Sequence, residues 1–248
     1  MAKAFVTGAT SGIGRAVARA LHAAGHEVMA VGRDEAALAM LAAGGMQPLK
    51  LDLADTSGLS RSLQGALEGF EPDILVNNAG IVPPPGNFCD MDEADLHRTV
   101  ATNLTSALLV TLAVAPGMRA RGRGHIFFAG SIAGHMPYPN LAAYAATKAA
   151  LGGFAQSLRL DLSASGVRVT EIVAGRVESP LYKDVLSPEA RAAMYAGQTA
   201  VQPEDVAAMV LAVLDLPGHV DVARFDILPT RQPFAPAVPA ADRSRPGS

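Results

Sequence analysis

The sequence predicts an α/β protein, a doubly wound parallel sheet of about seven strands with helices on both faces. Three observations predict it. Apolar runs of strand length alternate with longer helix-periodic segments along nearly all of the 248 residues. The joins are short, and strand–helix–strand units of this kind require parallel pairing. A glycine-rich turn, "TGATSGIG", separates the first strand from the first helix.

Residues 4–6 form the first apolar run, which stops at Thr7 and Gly8. Helical periodicity begins near Ile13 and passes through Val17, Leu21 and Ala24 to Gly25, a natural C-cap. Residues 26–31 read as the second strand and 35–41 as a short helix. A third strand over 47–51 closes at Asp52; a helix over Leu59–Leu67 follows. The fourth strand, 73–76, runs into "NNAG" at 77–80. Residues 94–118 predict one long helix, bent near Pro116. The fifth strand, 125–129, leads to Ser131, and a second long helix covers 143–164. The sixth strand spans 167–173, a late helix 204–214, and a seventh strand falls within 219–228. No repeat or linker divides the chain, so residues 1–232 are expected to form one domain. Residues 233–248, rich in Pro, Ala and Arg, read as a loose C-terminal tail.

Composition narrows the function classes. With 50% hydrophobic and 17% charged residues the chain can bury a sizeable core. The net charge is −3 and no Lys/Arg run forms a stripe, so no nucleic-acid partner is expected. The single Cys89 excludes an internal disulfide and a cysteine-based metal cluster, and no metal site is expected from the histidines. No secretory segment opens the chain and no apolar stretch of about 18 residues stands out, so a cytoplasmic protein without membrane contact is expected.

Two patterns carry chemistry. In "YAATK", Tyr144 and Lys148 stand four apart, which on a helix stacks phenol and ammonium on one face. A free phenol has a pKa of about 10. A unit charge about 4 Å away, at an effective dielectric of about 20, contributes about 4 kcal/mol. That is roughly 3 pKa units, enough to bring the phenol near 7. Ser131, thirteen residues upstream of Tyr144, could then hold an oxygen that exchanges a proton with the phenol. A surface Tyr and Lys on an Ala-rich helix would show the same spacing. The second pattern is the loop carrying Gly8, Gly12 and Gly14, where backbone can approach a pyrophosphate received by the next helix N-terminus.

"TGATSGIG", "NNAG", a serine at the fifth strand and "YAATK", in this order over about residues 3–230, resemble the short-chain dehydrogenase/reductase family. The resemblance implies a Rossmann-type fold and a catalytic set of Ser131, Tyr144, Lys148 and Asn103. Tyr144 would be the acid for reduction and the base for oxidation. Lys148 would lower its pKa and hold the nicotinamide ribose, Ser131 would bind the substrate oxygen, and Asn103 would support a water relay from Lys148 to solvent. Both Tyr144 and Lys148 would also touch the cofactor. Gly8, Ser11, Gly12, Ile13 and Gly14 match the family's phosphate loop, and Asp52 and Leu53 its adenine contact. Asn78, Ala79 and Gly80 would pass the adenosine ribose, and Val177 would meet the carboxamide. Arg33, just past the second strand in "AVGRDE", selects NADP, with NAD the alternative because Asp34 is adjacent and Ser11 replaces a residue often basic in NADP users.

One departure is "VAGRVES", where Ala174 replaces the family's usual proline; the turn is expected to be looser for it. Residues 178–202 match the family's substrate lid, with Leu181, Tyr182, Met194 and Tyr195 as its apolar members. Residues 81–85, 135–138 and Leu141 would form the other walls, and His135, Arg176 and Lys183 are the cations able to meet a carboxylate. "HMPYPN", "QPEDVA" and "LPTRQ" are similar to the branch of NADP-dependent serine and 3-hydroxy acid dehydrogenases. The expected activity is interconversion of a small secondary alcohol or 3-hydroxy acid with its carbonyl. A carbonyl reductase for bulkier ketones and a non-catalytic nicotinamide-binding regulator are the alternatives. The two long helices carry many small residues and imply a homodimer or homotetramer.

Overall fold

A computed structural model describes residues 1–197 and 199–231. The expected boundary at 232 and the tail over 233–248 lie outside the described residues. Seven strands form one sheet, every pairing parallel: β1 (Lys3–Thr7), β2 (Glu27–Gly32), β3 (Gln47–Lys50), β4 (Ile74–Asn77), β5 (Gly124–Ala129), β6 (Val167–Ala174) and β7 (Arg224–Ile227). Their order is β3-β2-β1-β4-β5-β6-β7. The winding reverses between β1 and β4, so the connections leave a crevice at the carboxyl ends there.

Alternation along the strands builds two cores. Ala4, Val6 and Phe127 face one side, against Val17 and Leu21 of α1 (Gly12–Ala23) and Val206 and Val210 of α8 (Pro203–Leu214). Phe5, Ile126 and Phe128 face the other. There they meet Leu59 and Leu63 of α3 (Leu59–Leu67), Val110 and Met118 of α5 (Ser106–Arg121), and Leu151 and Ala155 of α6 (Ala142–Ser163). Phe5, Phe127 and Phe128 are fully buried, each worth about 1.5–3 kcal/mol of transfer free energy. Burial on both faces is why these strands read as continuous apolar runs. The short helix α2 (Glu35–Ala43) closes the edge beside β2 and β3.

The long helix expected over 94–118 is corrected. It is two helices, α4 (Glu93–Val100) and α5, joined by a π-helical turn at Ala101–Thr105. Pro116 sits inside α5, and the irregularity falls around Asn103 instead. A π turn inserts one residue into the helical repeat and so re-aims the side chains on it. The continuous run Glu93–Arg121, 29 residues with a mean hydropathy of 1.5 in its most apolar window, is long enough to cross a membrane. It departs from the expectation that no such stretch exists. Here one side of it is packed on the sheet through Val110, Val114 and Met118. Shorter pieces not foreseen are 3-10 turns at Phe88–Asp90, Ile132–Gly134 and Pro180–Tyr182, and α7 (Pro188–Tyr195). Ala174 also differs from expectation. It lies in β6 opposite Ile227, and the Gly175 N–H donates to Ile227 O at 2.9 Å, so strand pairing holds this turn without a proline.

Candidate active site

The crevice begins at the end of β1. Gly8 adopts φ +65°, which its lack of a side chain permits, and a Cβ on Gly14 would overlap the Gly8 carbonyl. The loop therefore folds tightly onto the start of α1. Ser11, the N-cap of α1, makes no side-chain bond to the helix, and its first turn holds no acidic residue. Such an end presents unpaired N–H groups and the positive pole of the helix to an anion. Gly12 faces Ser179 across the crevice, where a Cβ would stand 3.2 Å from the Ser179 Cβ. Ile13 packs on the core below. A pyrophosphate-bearing dinucleotide fits this cradle.

Asn78 ties β4 to β1. Its Nδ2 donates to Thr7 O at 3.1 Å, and the N–H groups of Asn78 and Ala79 donate to Thr7 Oγ1 at 2.9 and 3.1 Å. Gly80 backs onto both Asn103 and Lys148: a Cβ there would lie 3.4 Å from Asn103 Oδ1 and 3.6 Å from Lys148 Nζ. Asn103 accepts from Ile81 N–H at 2.8 Å and donates to Ile81 O at 2.9 Å and to Thr147 Oγ1 at 3.3 Å. The π turn thus places Asn103 as a clamp between the β4 loop and α6.

At the other end of the cradle, Arg33 stands in the open, its Nη1 3.8 Å from Asp52 Oδ1. Asp34 is turned away: its Oδ1 accepts the Ala37 N–H at 3.0 Å as the N-cap of α2. The acidic competitor for a ribose is therefore committed to a helix. Leu53 is buried in the core, leaving only its backbone for the crevice. Val177 is likewise buried and bridges Val201.

Ser131, Tyr144 and Lys148 come together on the β5 side. All three are at most 8% exposed. Ser131 caps the 3-10 turn, its Oγ accepting from Ala133 N–H at 3.2 Å. Tyr144 packs with Val82, Ala133 and Leu141, with Tyr138 and Tyr182 around them. Lys148 Nζ donates to Ala129 O at 2.6 Å and lies 5.7 Å from the Tyr144 ring centre. Burial pushes the Lys148 ammonium down to about 8, while the nearby Glu171 carboxylate opposes the fall. Burial pushes the Tyr144 phenol up from its usual value, and its hydrogen bond with Ser131 opposes that. This corrects the simple spacing argument. The spacing shows the ammonium alone, whereas burial acts on the phenol in the opposite direction, so Tyr144 is protonated at neutral pH.

The segment that follows β6 meets the cluster through Tyr182. Val177 pairs with Val201, Glu178 N–H donates to Val201 O at 2.9 Å, and Arg176 Nη1 donates to Met194 O at 2.9 Å. Met194 is buried, Leu181 is 37% exposed, and the Tyr195 hydroxyl donates to Ser179 O at 3.2 Å. Burial pushes the Tyr182 phenol upward, with Tyr144, Tyr195 and Tyr138 adding to the rise and Arg176 opposing it. Tyr138, Tyr144 and Tyr182 thus pack together, and Tyr195 acts on Tyr182 electrostatically. Of the three expected cations, Lys183 is exposed and Arg176 half-buried. His135 Nε2 is bonded to Glu171 Oε1 at 2.8 Å. Glu171 was not foreseen, although a lone acid within the apolar run "VRVTEIVA" is the signal that could have shown it. His22 and His26 stand four apart, but His26 lies beyond α1 and accepts from Ala2 N–H at 3.3 Å. No three His, Cys, Asp or Glu side chains assemble a metal site among the described residues.

Comparison with known proteins decides the family, since the short chain dehydrogenase model matches residues 2–190. The chain belongs to the short-chain dehydrogenase/reductase family. It is similar to sulfoacetaldehyde reductase 2 of Chromohalobacter salexigens, 38% identical over 93% of this chain and 95% of that one. It is also 35% identical to an NADP-dependent 3-hydroxy acid dehydrogenase of Salmonella typhi, over 93% of this chain and 96% of that protein. Among solved structures, the closed form of a serine dehydrogenase complexed with NADP+ superposes with a TM-score of 0.88 at 32% identity, covering 94% of this chain and 97% of the other. As a short-chain dehydrogenase/reductase, the chain is an oxidoreductase.

Proposed function

We propose that this short-chain dehydrogenase/reductase uses NADP, with NAD the alternative, to interconvert a small secondary alcohol or 3-hydroxy acid and its carbonyl. The observation carrying this reading is the convergence of Ser131, Tyr144 and Lys148 in one buried cluster beside the open N-terminus of α1. Bound nicotinamide supplies or accepts the hydride. The chain's own residues do the rest. The loop residues Gly8, Ser11, Gly12, Ile13 and Gly14 receive the pyrophosphate, and Arg33 receives the 2′-phosphate. Asp52 and the Leu53 backbone border the adenine, Asn78, Ala79 and Gly80 the ribose, and Val177 the carboxamide. Ser131 holds the substrate oxygen. Tyr144, protonated in the resting site, donates its proton in reduction and takes it back in oxidation. Lys148 brings positive charge to the nicotinamide ribose and to the phenol. Asn103, its amide committed to Ile81 and Thr147, holds the wall along which a water relay would run.

The relatives named above are named for small compounds that carry a carboxylate or sulfonate. Arg176 is the cation we assign to such an anion, because it is half-buried and its charge acts on Tyr182. The apolar wall of Val82, Tyr138 and Tyr182 favours, as a second reading, a bulkier ketone. Homo-oligomerisation through α5 and α6 is supported by exposed Leu112 and Leu160, 69% and 64% accessible. An apolar recess of about 430 Å³ opens between α4 and the first turns of α6. Residues 1–232 would act as one catalytic unit, and the exposed Cys89 suits a reducing cytoplasm. The test is a cofactor-linked panel: oxidation of serine and 3-hydroxybutyrate with NADP, and reduction of sulfoacetaldehyde with NADPH. Turnover confined to bulky neutral ketones would remove the small-anion reading.

A further inference from the structure

Beneath the site lies a charge that the proposed mechanism does not use. Glu171, on β6, is 1% exposed. A buried carboxylate without function is costly, and it persists only where charge and hydrogen bonds compensate it. Here the surroundings are shaped around it. A Cβ on Gly130 would stand 2.5 Å from Glu171 Oε1, and one on Gly152 would stand 2.8 Å from it. Both positions are glycine, so the residue after β5 and helix α6 leave a slot of carboxylate width. Oε1 bonds His135 at 2.8 Å, and Oε2 has no hydrogen-bond partner among the described residues. Gly152 is one helical turn beyond Lys148, which places the carboxylate on the Lys148 side of α6. His135 follows directly on the Ile132–Gly134 turn that Ser131 caps.

We infer that Glu171 is a positioning residue of the active site, acting through two neighbours. Its charge serves as the buried counter-ion of Lys148, and its Oε1 fixes His135 and with it the turn that carries Ser131. The inference rests on the reading of Lys148 as a cationic member of the site. The groups facing this pair can be named element by element. Helix α6 presents Tyr144, and the segment after β5 presents Gly130 and His135. The π turn presents the neutral Asn103. On β7 Arg224 is opposite Glu171 in register but is ion-paired to Asp226 at 2.9 Å.

The direction follows from the physics. Burial already lowers Lys148 to about 8, and Glu171 is the group holding it up. Without that charge the ammonium should lose its proton nearer to neutrality. A buried carboxylate near an ammonium raises its pKa, and removing the carboxylate lowers it.

The experiment is NMR of the full chain labelled with 13Cε-lysine. The chain has four lysines, Lys3, Lys50, Lys148 and Lys183, and Lys148→Met assigns the buried one. Glu171→Gln preserves the volume and removes the charge. It should move the Lys148 midpoint down by about one pH unit or more. His135→Ala should leave the midpoint nearly in place and raise amide exchange at Met136, whose N–H bonds Ile132 O. Glu171→Leu, a second neutral variant, gives the same reading of the Lys148 midpoint if Glu171→Gln fails to fold. A Lys148 midpoint unmoved in the neutral variant would overturn the counter-ion. Unchanged exchange in His135→Ala would overturn the clamp. Because cofactor and substrate are absent, coupling present alongside failed turnover would fault the functional reading alone.

Discussion

Replacing Arg33 with Ala separates cofactor recognition from folding. Arg33 and Asp52 form a pair at 3.8 Å with side chains 64% and 51% exposed. An ion pair so open to solvent is worth about 0–1 kcal/mol, so the melting temperature should hardly change. Binding is a different matter. A 2′-phosphate meeting the guanidinium makes charge-assisted hydrogen bonds worth about 1.5–3 kcal/mol. Releasing Arg33 from Asp52 subtracts at most about 1 kcal/mol. The net, about 0.5–3 kcal/mol, corresponds to roughly 2- to 150-fold in NADPH affinity. NADH, which has no 2′-phosphate, should bind the variant about as it binds the parent. Fluorescence titration of both reduced cofactors at fixed ionic strength measures this, because a surface phosphate contact weakens with salt. An NADPH affinity within twofold of the parent, or an equal loss for both cofactors, would refute the role given to Arg33.

Three further outcomes follow from particular contacts. Gly152→Ala and Gly153→Ala, neighbours in α6, should differ in sign. Gly153 has nothing within 4 Å of an added Cβ, so it should gain about 0.5–1 kcal/mol in a urea melt. Gly152→Ala should lose stability, since its Cβ would press on Glu171. His125, buried on β5 and stacked on Phe127, is pushed down to about 3 by burial, with Arg168 adding to the effect. The unfolded chain therefore binds a proton below about 6.5 that the folded chain refuses until about 3. Stability should fall by about 1.4 kcal/mol per pH unit through that window, and His125→Gln should flatten the slope in melts at pH 6.5 and 5. Asp34→Ala should cost about 1 kcal/mol, the worth of an N-cap, in the same kind of melt.

The parts legible in the sequence are those with a local signature. Two-sided burial writes β1, β4, β5 and β6 as apolar runs, and the glycine loop marks where β1 hands over to α1. Tyr144, Lys148 and Ser131 were visible as a spacing, and the structure brings them into one cluster. What was hidden depends on partners far along the chain. The π turn at Asn103 has no compositional mark, since "ATNLT" reads as continuous helix and its distortion coincides with bonds to Ile81 and Thr147. Pro116, a conspicuous residue, drew the expected bend to the wrong place. Ala174 looked like a loosened turn because its stabiliser, Ile227, is fifty-three residues away by position number. The surroundings of Tyr144 were only half legible for the same reason. The spacing shows the ammonium but not the apolar walls of Val82, Ala133 and Leu141 that desolvate the phenol. Asp34, a candidate ribose acceptor on sequence, is instead the cap of α2.

The central claim is that Tyr144 moves the proton while the rest of the site holds the reactants. Tyr144→Phe removes one hydroxyl from a buried, packed ring, and steady-state turnover and NADPH titration should be measured side by side. The claim predicts turnover lost by at least about a hundredfold, the usual worth of a positioned acid or base, with NADPH affinity nearly unchanged. Turnover that survives the substitution would contradict it.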